Sequence, residues 1–182
     1  MRSISQFKDN PFLKKRWIES YNMNKEILRV IYKVHEFFKK RRLKLSVAES
    51  CTGGLISHYL TAPPGASIFF EGGVVSYSIE FKKGILGVSS ETISRYGVVS
   101  EETAREMAAR IRVLTRTDFS LSTTGNLGPE VLEDKQKGLV YVAVSKKGKT
   151  FSKELRLRGG REENKEEAAL EALKLLIEMI NK

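Results

Sequence analysis

The chain has 182 residues, 41% of them hydrophobic, with 32 Lys and Arg against 22 Asp and Glu and a formal net charge of +10. That length and apolar content fit one folded domain with its own core plus an appendage, and exclude a wholly disordered chain. No apolar run is long enough for a membrane span, no secretory signal opens the sequence and one cysteine permits no internal disulfide. A cytoplasmic protein with no membrane partner is therefore expected.

Residues 1–22 mix charge, aromatics and one proline without a period and read as a basic N-terminal extension, followed by a domain over 23–182. Residues 1–45 hold 13 basic and 4 acidic side chains, whereas residues 46–182 hold 19 and 18, so the excess charge is regional. A solvated arm and helix face is the ordinary reading of such a run, with nucleic-acid binding as the alternative. From Asn24, the spacing of Ile27, Leu28, Ile31, Val34, Phe37 and Phe38 predicts a helix ending in Lys39-Lys40-Arg41-Arg42, where positive charge suits the dipole. Leu43 to Val47 is β-prone. Leu55, Ile56, Tyr59 and Leu60 then mark a short helix that stops at Pro63-Pro64-Gly65.

Ile68 to Ser78 reads as extended and interrupted by Gly72-Gly73, with short helices following around Phe81–Leu86 and Glu91–Tyr96. Ser100 is a good N-cap for a helix reaching about Thr115. Phe119 to Thr123 is a strand ending at Thr124-Gly125; Leu139–Val144 and Thr150–Arg158 form a hairpin around Lys146-Lys147-Gly148; a last helix covers about Glu162–Ile180. Strands alternating with helices predict an α/β layer fold, and the hairpin predicts a mixed β-sheet.

The chemistry gathers at junctions. Ala48-Glu49-Ser50-Cys51-Thr52-Gly53-Gly54 joins a strand to a helix, the place where α/β folds bind ligands. Ser50 can act there as a nucleophile, with neighbouring N–H groups holding an oxyanion, or simply as part of a tight capped turn. Cys51 is a rival nucleophile or a small packing residue. His35 and His58 lie on helices and make no triad, and they are too few for a structural metal site. A lysine with a lowered pKa can replace histidine as the base, and Tyr77 with Lys82 and Lys83 sits at the next strand-to-helix junction. Thr124-Gly125 and Arg161 mark two further junctions. Arg161 opens a helix, where its charge opposes the dipole and favours an anion-binding role.

Taken in order, these segments resemble the CinA C-terminal domain family, whose characterised activity is nicotinamide-nucleotide amidase. The resemblance rests on residues 48–54, on Pro64-Gly65-Ala66-Ser67 and on Gly72-Gly73-Val74-Val75-Ser76-Tyr77-Ser78 with Lys82. It continues through Leu86-Gly87-Val88, Tyr96 to Glu102, Thr124-Gly125 with Gly128-Pro129, and Gly138-Leu139-Val140-Tyr141, covering about residues 24–180. It implies a three-layer α/β/α domain and hydrolysis of the carboxamide of nicotinamide mononucleotide to nicotinate mononucleotide and ammonia, without metal or cofactor. Ser50 would be the nucleophile, Lys82 its base and Tyr77 a proton-positioning group. Thr124 and Arg161 would touch the nucleotide, and a homo-oligomer is implied. The N–H groups around Thr52 and Gly53 are the expected oxyanion or phosphate cradle, and Gly125 is a further expected substrate contact. The chain is too short for the family's frequent second, molybdopterin-related domain, so the pyrophosphatase activity linked to it is not expected. Two further departures stand out: the usual glycine-rich stretch is here the charged run Glu130 to Lys137, and an arginine of the family is Lys165. The alternative function is a nucleotide-binding protein that has lost turnover.

Overall fold

The structure is a computed structural model that describes residues 24–182, so the predicted N-terminal extension lies outside the described residues. Among the described residues, six α-helices and five strands follow in the order α1 Lys25–Arg41, β1 Leu45–Glu49, α2 Leu55–Thr61, β2 Phe70–Val75, α3 Ile79–Gly84 and α4 Ser90–Tyr96. After them come α5 Glu101–Thr115, β3 Phe119–Gly125, β4 Leu139–Lys146, β5 Lys149–Arg156 and α6 Arg161–Ile180. The strands form one mixed sheet in the order β2-β1-β3-β4-β5. β1 pairs in parallel with β2 and β3, while β4 and β5 add antiparallel pairs.

Local sequence explains most boundaries. Asn24 caps α1, accepting a hydrogen bond from the Glu26 N–H at 2.8 Å, and Ser100 caps α5 through the Thr103 N–H. Both helices end on an arginine in the left-handed conformation, Arg42 and Arg116. The glycine pair Gly72-Gly73 does not interrupt β2 but lies within it. The reason is packing: a Cβ on Gly73 would collide with Ser57 Oγ of α2, so the strand needs glycine to let that helix approach.

The two faces of the sheet differ. Leu45, Val47, Leu121, Val140, Val142 and Val144 point to one side and meet α1, α2 and α6 in the main core. The opposite face carries small residues, with Ala48 and Ala143 against α5. There Ser120 Oγ and Ser122 Oγ donate to the carbonyls of Ala108 (2.5 Å) and Ala104 (2.6 Å), so α5 lies close on the sheet with its hydroxyl neighbours satisfied. The result is three layers, α/β/α. Successive connections leave β1 toward β2 on one side and reach β3 on the other. The carboxyl ends of β1, β2 and β3 thus converge at a switch point, the usual place for a ligand crevice.

Candidate active site

Ser50 follows β1 directly, Ser76 and Tyr77 follow β2, and Thr124 is the next-to-last residue of β3, because Glu49 is in register with both Val75 and Thr123. α3 then turns Lys82 back under the end of β1. Lys82 is 2% exposed, and its Nζ lies 2.9 Å from Ser50 Oγ. The same nitrogen donates to the carbonyls of Ser76 (2.7 Å) and Tyr77 (3.2 Å). A neutral amine has two N–H bonds and one lone pair. With both N–H bonds directed to carbonyls, the lone pair is left for the Ser50 hydroxyl proton. Burial lowers the Lys82 pKa to about 8, against its ordinary 10.5. Of the two candidate lysines, Lys82 is the one facing Ser50; Lys83 instead pairs with Glu80 at 3.6 Å.

A fully buried residue that sequence reasoning passed over organises the turn. The Glu49 carboxylate accepts from Thr52 Oγ1 (2.7 Å), Gly54 N (3.0 Å), Ile56 N (3.0 Å), Ser57 N (2.8 Å) and Ser57 Oγ (2.7 Å). It therefore satisfies N–H groups at the start of α2 that helix geometry leaves without partners. The Glu49 carbonyl also accepts from Ser76 N at 2.7 Å. One residue thus holds both the loop bearing Ser50 and the segment whose carbonyls receive Lys82. A glutamate at the end of a wholly buried strand was the available signal.

The remaining predicted residues fall into two groups. Thr124, Gly125, Tyr77 and Arg161 line a cavity of about 550 Å³ together with Ser50 and Lys82. Thr124 Oγ1 donates to the Val98 carbonyl at 2.6 Å. The Tyr77 side chain is largely exposed and accepts from Arg161 at 3.1 Å, while the backbone carbonyl of Tyr77, not its phenol, receives Lys82. Arg161 also donates to the Gly128 carbonyl. Thr52 and Gly53 do not reach the cavity. The Thr52 hydroxyl contacts Glu49 and Thr123, and the Gly53 N–H donates to the Ser50 carbonyl at 3.1 Å. The Cys51 N–H, next to Ser50 on the cavity wall, donates to no oxygen among the described residues. Burial pushes the Cys51 thiol up to about 12, which keeps it protonated and poorly nucleophilic. His35 is buried elsewhere against the Leu60 carbonyl, with its pKa lowered to about 4. Among the described residues no three His, Cys, Asp or Glu side chains gather to hold a metal ion, and no helix is long and apolar enough to cross a membrane.

Fold and site together define a three-layer α/β/α domain with a hydroxyl–amine pair in a pocket at the carboxyl ends of its parallel strands. The chain belongs to the CinA C-terminal domain family, whose model matches residues 28–180. A relative named as a competence-damage inducible protein, from Thermoanaerobacter pseudethanolicus, is 46% identical over 144 residues, which is 79% of this chain and 35% of that protein. A CinA-like protein of Chloroherpeton thalassium is 43% identical over 153 residues, 81% of this chain and 36% of its own length. The chain thus spans about a third of the curated relatives it matches. Among solved structures, the competence/damage inducible protein CihA of Agrobacterium tumefaciens matches with a TM-score of 0.84 and 33% identity, covering 89% of this chain and 99% of that one. A CinA superfamily protein of Escherichia coli matches at 0.82 and 30%, covering 87% and 94%.

Proposed function

We propose that the domain is an amidase that hydrolyses the carboxamide of nicotinamide mononucleotide through Ser50 and Lys82. The observation that carries this reading is the 2.9 Å contact between a buried lysine amine of lowered pKa and the serine hydroxyl at the cavity wall. A carboxamide is a poor electrophile with a poor leaving group, so its hydrolysis needs an activated hydroxyl, oxyanion donors and a proton for nitrogen.

Neutral Lys82 takes the Ser50 proton as Oγ bonds to the amide carbon, and the carbonyl π electrons move to oxygen. The Cys51 N–H, next to Ser50 on the cavity wall and donating to no oxygen among the described residues, is a backbone donor available to that oxyanion. Protonated Lys82 then gives its proton to the amide nitrogen, the C–N bond breaks and ammonia leaves, with the acyl group held on Ser50 as an ester. Water attacks the ester, Lys82 takes the proton of the water and returns it to Ser50 Oγ, and the carboxylic acid departs. The cavity is within the usual size for small-molecule sites, and Arg161 at its rim supplies positive charge for a phosphate.

The test is incubation of the full chain with nicotinamide mononucleotide, following ammonia and the carboxylate product. Wild type should release both, and Ser50→Ala should release neither while keeping its far-UV circular dichroism. Product from Ser50→Ala, or none from wild type, would overturn the reading.

A further inference from the structure

The charged run Glu130 to Lys137 builds one wall of the cavity, and an unusual set of contacts fastens it there. The Glu133 carboxylate accepts from two successive backbone N–H groups, Val98 at 2.6 Å and Val99 at 3.2 Å. Lys135 Nζ pairs with that carboxylate at 2.9 Å and donates to the carbonyls of Tyr96 (2.9 Å) and Val99 (2.8 Å). The two charges therefore clamp residues 133–135 onto residues 96–99. Gly97 is part of the fit: it has φ +85°, and a Cβ there would collide with the Glu133 carboxylate. From the other side, buried Asn126 accepts from the Leu132 N–H at 3.1 Å and donates to the Leu132 carbonyl at 3.0 Å.

The backbone of Leu132 is thus fixed on both polar groups, yet its side chain lines the cavity 58% exposed. Val131 beside it is 41% exposed, and Ile79 from α3, also on the cavity lining, is 44% exposed. Val131, Leu132 and Ile79 thus form one apolar stretch of the cavity lining, a surface suited to an apolar part of a ligand.

We propose that Leu132, with Val131, is the specificity-determining contact for the planar heteroaromatic ring that carries the amide, and that Glu133 and Lys135 are positioning residues that hold this wall in place. The inference rests on the amidase reading and adds the part of the site that selects the ring.

The experiment compares wild type, Leu132→Ala, Leu132→Met, Glu133→Gln and Lys135→Met with nicotinamide mononucleotide as substrate, reading kcat and KM separately. Leu132→Ala should raise KM about tenfold with kcat within about twofold, because it removes binding that ground and transition states share. Leu132→Met, which conserves volume, should restore KM. Glu133→Gln and Lys135→Met should raise KM similarly and speed amide hydrogen exchange across residues 96–99. Unchanged KM in Leu132→Ala, or a fall in kcat alone, would overturn the proposal while leaving the amidase reading intact. Wild type without turnover would overturn both. Should the clamp variants fail to fold, Leu132→Ala, which trims an exposed side chain, still decides the question.

Discussion

Replacing Lys82 with methionine separates the chemistry of the amine from the cost of burying it. In the folded chain, desolvation lowers its pKa to about 8, whereas in the unfolded chain it titrates near its ordinary 10.5. Between those values the unfolded chain holds a proton that the folded chain has released, so Lys82 makes stability rise with pH across that window. The gap corresponds to roughly 3 kcal/mol, a large part of the ~5–15 kcal/mol that keeps a domain folded. Methionine fills a similar space and carries no proton. At pH 7 it removes that penalty but leaves the Ser76 and Tyr77 carbonyls unpartnered, at about 1 kcal/mol each, so Lys82→Met should be slightly more stable there and inactive. Urea unfolding of both proteins from pH 7 to 10.5 checks this, because subtracting the two curves cancels every other titrating group. Wild type should gain roughly 3 kcal/mol on the variant, nearly all above pH 8. A difference that stays flat across the range would refute a desolvated amine at this position.

Two other outcomes follow from the same geometry. Because the base must be neutral, kcat/KM should rise about tenfold per pH unit below 8 and level off above it, and a flat profile from pH 6 to 9 would remove Lys82 from the reaction. Glu49→Gln replaces one of two acceptor oxygens with a donor that faces other donors, orphaning at least one buried N–H; thermal unfolding should show a loss of about 2 kcal/mol, and turnover should fall with it.

The parts of the fold that local chemistry determines were legible in the sequence. The apolar stripe of α1, the Ser100 cap and the β4–β5 hairpin all lie where spacing and turn residues predict. The misses share a cause. Gly72-Gly73 looks like a break when only the chain's own neighbours are considered, and becomes strand because β1 pairs with it and Ser57 presses on it. Lys82 and Lys83 are adjacent on a six-residue helix, and only the position of that helix under β1 decides which amine meets Ser50. Gly53 offered an N–H group suited to an anion, but the Ser50 carbonyl takes it. Glu49 shows itself only as a charge at the end of a buried strand, because its five donors come from the turn and helix start that follow it. The Glu133–Lys135 clamp is equally invisible, because its partners lie some 35 residues away.

The net charge of +10 bears on this chemistry less than its size implies. The cluster Lys39 to Arg42 ends α1 and precedes β1, whereas Ser50 follows the other end of that five-residue strand. At about 3.3 Å per residue the two are at least ~16 Å apart. One exposed charge at that distance in water interacts by roughly 0.3 kcal/mol, and a Debye length of about 8 Å cuts this to a few hundredths. Four such charges move the protonation of Lys82 by about a tenth of a pH unit, far less than its displacement from 10.5 to about 8. The basicity of the amine is therefore set inside the pocket, by burial. The charge of the Lys39 to Arg42 cluster can vary without retuning the reaction.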